Sequence, residues 1–320
     1  MVYTLFALGF VLLIKGADYL VDGSASIAKR FNISNLVIGL TIVAFGTSAP
    51  ELIVNLFASF NGSSDLAISN VLGSNLANML LILGVASVIY PLKVKSNSVW
   101  KEIPLSLLAI VLVFFMANDV LFDGASANAI SRIDGVSLIA FFIVFMYYSF
   151  GIAKNTDDAN SEDEIELLSV SKSSSYVFCG MIALALGGKW IVDGAVFIAK
   201  SFNMTEALIG LTVVAIGTSL PELATSYAAA KKKNADIAIG NTVGSNIFNV
   251  FWILGLSSLI RPLPFDAANN NVDMFAAIGA SLLLFIFMFV GRKHLLQRWQ
   301  GILFLIAYFA FMTFKIVTNV

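Results

Sequence analysis

The chain has 320 residues, of which 58% are hydrophobic and only 12% charged, and its formal net charge is -1. Soluble domains are about 45–50% apolar and about 25% charged, so this composition excludes a soluble fold and indicates a polytopic membrane protein. The near-neutral charge excludes a nucleic-acid-binding surface. The single cysteine, Cys179, excludes an internal disulfide and a cysteine-based metal site.

About ten apolar segments are long enough to cross roughly 30 Å of hydrocarbon, which takes about 20 helical residues. In chain order they cover residues 3–28, 33–60, 65–90, 102–122, 134–153, 174–199, 204–230, 236–260, 272–291 and 299–318. The first has no basic flank or cleavage site, so it is a membrane helix rather than a signal peptide. The acidic, serine-rich stretch 154–173 is predicted to be a cytoplasmic linker.

An internal repeat divides the chain into two halves. Residues 16–92 align with residues 187–263 at a constant offset of 171, and about 37 of the 77 pairs are identical. The identities include Thr, Ser, Glu and Asn, which packing alone does not require. We therefore predict an all-α protein with one five-helix repeat over 1–153 and a second over 174–320.

Basic residues predict the orientation of these repeats. Alternate assignment of the loops puts 13 of the 19 Lys and Arg residues on one side and four on the other, with Lys15 and Lys189 inside helices. The basic side is predicted to be cytoplasmic, which places both termini outside an inner (plasma) membrane. Because each repeat has an odd number of spans, the second enters from the opposite side, so the two repeats have inverted topology.

Polar residues recur inside the second and third spans of each repeat. AFGTSAPE (residues 44–51) and AIGTSLPE (residues 215–222) interrupt apolar runs with glycine, hydroxyls, proline and a carboxylate. Glycine and proline disfavour a regular helix there, and the proline frees the carbonyl four residues earlier. The side chains that recur are Thr47, Ser48 and Glu51 with Ser74 and Asn78 in the first half, and Thr218, Ser219 and Glu222 with Ser245 and Asn249 in the second.

These side chains predict a site for hard cations. Carboxylate, hydroxyl, amide and carbonyl oxygens are the ligands that Ca2+ and Na+ take. Glu51 and Glu222 together balance the charge of one Ca2+. A carboxylate inside the bilayer is costly, so function is the default interpretation. The alternative is two protonated carboxyl groups that are hydrogen-bonded within the bundle and serve only structure.

Other intramembrane polar residues are less informative. Lys15 and Asp18 have i,i+3 spacing and are predicted to form a structural pair. Asp22 and Asp193 either line an ion path or bond backbone near a helix bend. The duplicated pairs Asn70 with Asn241 and Asn75 with Asn246 either support the site or join helices.

The motif pairs GTSAPE with GSNLAN and GTSLPE with GSNIFN resemble the two alpha-repeats of the sodium/calcium exchanger family, within the calcium/cation antiporter superfamily. The likeness is closest to the short prokaryotic members and covers nearly the whole chain. It implies ten helices in inverted repeats, four central ion sites, and alternating access by sliding of 3–28 and 174–199. The ligand oxygens it implies are the Ala44 carbonyl, Thr47, Ser48, Glu51, Ser74, Asn78, the Ala215 carbonyl, Thr218, Ser219, Glu222, Ser245 and Asn249.

The expected function is antiport that extrudes Ca2+ with the Na+ gradient. The sequence departs from the family at Asn249, where Asp is common, so two formal negative charges remain. Ca2+/H+ exchange with Glu51 and Glu222 as proton carriers is the alternative, and a passive cation channel is a third. An enzyme is disfavoured, since di-iron and zinc sites need histidine and the only one, His294, lies outside the apolar spans. The partners expected are the two ions and the lipid bilayer, with no cofactor and no protein partner.

Overall fold

A computed structural model describes residues 2–153, 167–201 and 215–318, and most of these residues are helical. Among them, eight helices are long and apolar enough to cross a membrane, and a bent pair makes a ninth if it counts as one span. Residues 204–214 of the predicted seventh span lie outside the described part. The helices are α1 (Val2–Arg30), α2 (Asn35–Thr47), α3 (Ala49–Asn61), α4 (Ser64–Ile89), α5 (Ser96–Ala117), α6 (Arg132–Ala153), α7 (Val170–Ser201), α8 (Ala215–Thr218), α9 (Leu220–Lys231), α10 (Ala235–Ile260), α11 (Ala267–Phe287) and α12 (Arg298–Thr318).

Several helices begin or end a few residues from the predicted bounds, and polar side chains hold two of the earlier starts. Helix α7 begins at Val170, inside the predicted linker, and the Ser173 hydroxyl bonds Ser26 of α1 at 2.9 Å. Helix α11 begins at Ala267 because the Asp266 side chain caps it by accepting from the Ala268 N–H at 3.0 Å. Helix α5 ends at Ala117, before the predicted 122, and a separate turn follows at Asp119–Phe122.

The predicted helix interruptions occur where the polar motifs lie. Helices α2 and α3 meet at Ser48 with a bend of 48°, and Pro50 lies in the first turn of α3, where no helical N–H bond is lost. Helices α4 and α10 contain π-helical segments at Ala77–Ile82 and Phe248–Leu254. Such segments are often found at functional sites, and here each includes a predicted site asparagine.

Two short antiparallel strand pairs mark the two ends of the bundle. Strand β1 (Leu92–Lys93) pairs with β4 (Leu295–Leu296), and β2 (Ala129–Ile130) pairs with β3 (Leu263–Pro264). Lys95, just after β1, bonds Asp236 at the start of α10 at 3.0 Å, whereas β3 follows the end of α10. A helix of 26 residues spans about 39 Å, so the two strand pairs lie at opposite ends of α10. Because β1 follows the end of α4 and lies near the start of α10, α4 runs antiparallel to α10.

Helices α1 and α7 pack backbone to backbone through glycines spaced seven residues apart on α1. A Cβ added at Gly16 would lie 2.9 Å from the Ala183 Cβ and 3.0 Å from the Gly180 carbonyl oxygen of α7. Gly9 and Gly23 face α7 equally closely. Small residues at such contacts let membrane helices approach closely, so this pair depends on the absence of side chains.

Replacing Gly16 with Leu is expected to destabilise the protein by about 1–3 kcal/mol, because the new side chain must separate α1 from α7. The matched control is Gly279→Leu in α11, where no atom lies within 4 Å of an added Cβ. That variant should be neutral or stabilising, since glycine weakens a helix. Thermal unfolding of both purified variants in detergent checks the prediction, and equal melting temperatures would contradict it.

Candidate cation site

The described side chains of the predicted site lie at the α2–α3 junction, on α4, at the α8–α9 junction and on α10. All are buried, with at most 9% of the residue exposed. The first helix of each junction ends at Thr47 or Thr218, and the proline lies in the first turn of the helix that follows. The structure therefore gathers residues from both halves of the sequence into one buried region.

The two halves contact each other through the glutamates. The Ser48 hydroxyl of the first half donates to Glu222 Oε1 of the second at 2.9 Å. Thr218 of the second half hydrogen-bonds the Glu51 carboxyl group, which also accepts from the Ser74 hydroxyl at 3.5 Å. Each carboxylate is thus held by a hydroxyl from the opposite repeat.

The site is not symmetric around the central serines. The Ser74 hydroxyl accepts from Ser219 Oγ at 3.2 Å and from Asn249 Nδ2 at 3.1 Å. The equivalent hydroxyl, Ser245 Oγ, is buried and has no hydrogen-bond partner. Two equivalent serines therefore differ: one is engaged by protein groups and the other is free to bind a ligand.

Among the site residues that the structure describes, five buried oxygens lack a hydrogen-bond partner. Buried polar atoms without partners are rare and cost free energy, so these need an explanation. Carboxylate, amide and hydroxyl oxygens are the ligand types that a hard cation binds. No group of three or more His, Cys, Asp or Glu residues exists within the described ranges, so a soft-metal site is not formed there. The five atoms are Glu51 Oε2, Glu222 Oε2, Asn78 Oδ1, Asn249 Oδ1 and Ser245 Oγ.

Known proteins resemble the chain over nearly its full length. The model of a family described as "Sodium/calcium exchanger protein" matches residues 1–151 and 172–317. The chain belongs to the sodium/calcium exchanger family. It is 37% identical over 319 residues to the putative antiporter CaxA of Alkalimonas amylolytica, covering 97% of this chain and 98% of that one. It is 33% identical to the sodium/calcium exchanger MaX1 of Methanosarcina acetivorans, covering 97% of each chain.

The fold also matches that of a solved exchanger. A structure of the sodium-calcium exchanger NCX_Mj, soaked with 10 mM Na+ and 10 mM Sr2+, is similar with a TM-score of 0.83 and 35% identity. The similarity covers 99% of this chain and 97% of that one. These matches confirm the family resemblance and the multi-pass helical architecture. The count of ten spans and the inverted topology remain predictions.

In the candidate site, the Ala44 carbonyl and Thr47 are already engaged by protein groups. The carbonyl accepts from the Ser48 N–H at 3.0 Å, and Thr47 Oγ1 lies 3.3 Å from it. Thr47 Oγ1 also donates to Asn241 Oδ1 at 2.9 Å, and Asn241 Nδ2 bonds the Glu222 carbonyl at 3.2 Å. Asn241 thus supports the site. Its counterpart Asn70 instead donates to Asn55 Oδ1 at 2.6 Å.

The predicted pair of Lys15 with Asp18 is wrong. Asp18 bonds Lys232 at 3.4 Å, and the same ammonium group bonds Asp22 at 2.8 Å. Lys232, the residue that follows the end of α9, reaches both carboxylates at once. Asp193, the counterpart of Asp22 in the second repeat, pairs with Lys189 of its own helix at 3.6 Å, and both side chains are well exposed. Neither duplicated aspartate therefore lies in the cation site.

Sequence reasoning missed two buried acidic residues outside the site, Glu102 and Asp273, which are equivalent at the offset of 171. Asp273 bonds Lys315 through both carboxylate oxygens, at 2.7 and 2.8 Å. Glu102 accepts from the Tyr148 hydroxyl at 2.5 Å. Lys315 is one of the four basic residues that the charge count assigns to the less basic side, but it is buried within α12. When Lys315 is left out of the count, the excess of basic residues on the predicted cytoplasmic side becomes larger.

Proposed function

We propose that this protein is a secondary active antiporter that exchanges Na+ for Ca2+ by alternating access and extrudes Ca2+ with the Na+ gradient. The observation that carries this proposal is the set of five unpartnered buried oxygens around Glu51 and Glu222. Two carboxylates match the charge of one Ca2+, and both ions take oxygen ligands. The ions are transported substrates, and their ligands are the oxygens predicted from the sequence, with the Ala44 and Ala215 carbonyls included.

The burial of the two glutamates supports exchange rather than passive flow. Both are 0% exposed in this conformation. A buried charge without a counterion costs several kcal/mol, so an empty site resists the transition between the two orientations. After an ion is released on one side, another ion must bind before the site can reorient to the other side. This requirement couples the two ion fluxes.

The proposed setting is the inner (plasma) membrane, with ten spans in two inverted repeats and both termini outside the cytoplasm. The antiparallel course of α4 and α10 supports inversion, as does the pairing of β1 with β4 and of β2 with β3. The basic residues Lys93, Lys95, Arg292 and Lys293 cluster near one strand pair, and this end is assigned to the cytoplasm.

Purified protein in liposomes tests the proposal. With Na+ inside and radioactive calcium outside, an outward Na+ gradient is expected to drive Ca2+ uptake above the external concentration. Liposomes with equal Na+ on both sides are the control. Uptake that stops at equilibration identifies a passive channel and contradicts the proposal.

Ca2+/H+ exchange is the second candidate, because two carboxylates can carry two protons in place of one Ca2+. The same liposomes, loaded with an acidic buffer and no Na+, test it directly. Uptake driven by the pH gradient and indifferent to Na+ assigns the protein to proton exchange and contradicts Na+ coupling.

A further inference from the structure

Four asparagines meet where α4 crosses α10, and two of them are not cation ligands in the predicted set. Asn75 and Asn246 are 4% and 2% exposed and occupy equivalent positions of the two repeats. The Asn75 side-chain amide donates to the backbone carbonyl of Asn246 at 3.4 Å, and Asn246 donates back to the Asn75 carbonyl at 3.4 Å. This reciprocal contact joins the repeats beside the cation site.

The oxygens of these two asparagines bind the site asparagines of the opposite repeat. Asn75 Oδ1 accepts from Asn249 Nδ2 at 3.0 Å, and Asn246 Oδ1 accepts from Asn78 Nδ2 at 2.9 Å. The remaining atoms of the site amides, Asn78 Oδ1 and Asn249 Oδ1, are buried without a partner. Each site amide is thus anchored by its nitrogen and leaves its oxygen free.

The orientation of all four amides follows from the two backbone carbonyls. A carbonyl only accepts, so the group of Asn75 and of Asn246 that faces it must be the NH2 group. The oxygen of each then faces the site asparagine, which must answer with its own NH2 group. If a site amide turned over, two oxygens would face each other and an NH2 group would point toward the cation.

We propose that Asn75 and Asn246 are positioning residues that fix the amide orientation of Asn249 and Asn78 across the two repeats. Through them, both site amides present their carbonyl oxygens to the transported cation. The inference rests on the proposed cation site and assigns a role to two residues that do not contact the ion. It also explains why the duplicated motif contains two asparagines three residues apart.

A double-mutant cycle tests this assignment with Ca2+ binding to the detergent-solubilised protein, measured by isothermal titration. Asn75→Leu is expected to weaken Ca2+ binding roughly tenfold, because the Asn249 oxygen is then no longer held toward the ion. An effect of this size is typical for the loss of one polar contact to a charged group. In an Asn249→Ala background, Asn75→Leu should have almost no further effect, whereas in an Asn78→Ala background its full effect should remain. Asn246→Leu should show the opposite pattern.

The matched control is Asn70→Leu, which removes a partly buried amide from the same helix, bonded to Asn55 and not to the site asparagines. It should leave Ca2+ affinity unchanged even if stability falls. Equal effects of Asn75→Leu in both alanine backgrounds, or coupling of Asn75 to Asn78 in its own repeat, would overturn the proposal. Ca2+ binding is measured without a driving ion, so failure of Na+-driven uptake in the wild type remains a separate result.

Discussion

Glu51→Gln and Glu222→Gln are each expected to lower Na+-driven Ca2+ uptake at least about 100-fold. Glutamine keeps the size and one acceptor oxygen of glutamate, so the hydrogen bonds from Ser74 and Ser48 can persist. The charge, however, is lost, and a bound Ca2+ then faces a single carboxylate. Removing one partner of a buried charge pair costs about 3–5 kcal/mol, and each 1.4 kcal/mol is a factor of ten in affinity.

The matched control is Glu102→Gln, since Glu102 is also a membrane-buried carboxyl group and is 1% exposed. Its hydrogen bond from Tyr148 can be kept by the glutamine oxygen, and it is not one of the predicted site residues. This variant should take up Ca2+ at close to the wild-type rate. Initial uptake rates are compared at equal protein per liposome, after size-exclusion chromatography shows that all three variants are folded. Substantial Na+-driven uptake by both site variants would rule out the assigned roles.

The candidate site could be predicted from the sequence because its residues come from short motifs. Thr47, Ser48 and Glu51 lie within one helical turn and recur as a unit in the second half. Their polarity contrasts with the surrounding apolar span, and the nearby glycine and proline predict the interruption that the structure shows at Ser48. Local spacing and duplication were therefore sufficient to identify most residues of the candidate site.

The partners of these residues could not be predicted, because they are contributed by distant helices. Asn249 reaches Asn75 across 174 sequence positions, and Ser48 reaches Glu222 across the same separation. Spacing of i,i+3 predicted a local pair for Asp18, but Lys232, 214 positions further along the chain, bonds it instead. Sequence periodicity reports which residues share a helix face, whereas the partner depends on how two helices cross.

The buried pair of Lys315 and Asp273 gives the largest expected effect on stability. Lys315→Met is expected to lower the free energy of unfolding by about 3 kcal/mol or more, because it leaves the Asp273 carboxylate buried and unpaired. Asp273→Asn should cost less, since Lys315 is one turn from the end of α12 and its ammonium group can extend toward the interface. The double variant should recover most of the loss, because no unpaired charge remains.

Thermal unfolding in detergent gives the melting temperatures of the wild type, the two single variants and the double variant. The quantity followed is the fraction of protein that stays monodisperse. Lys189→Met is the matched control, since its ion pair with Asp193 is exposed and such pairs contribute little. Equal melting temperatures for Lys315→Met and Lys189→Met would show that burial does not strengthen the pair. If the double variant stayed as unstable as Lys315→Met, the loss would come from packing of the lysine stem rather than from an unpaired carboxylate. Because Asp273 lies outside the cation site, Ca2+ affinity should be unchanged in every variant that remains folded.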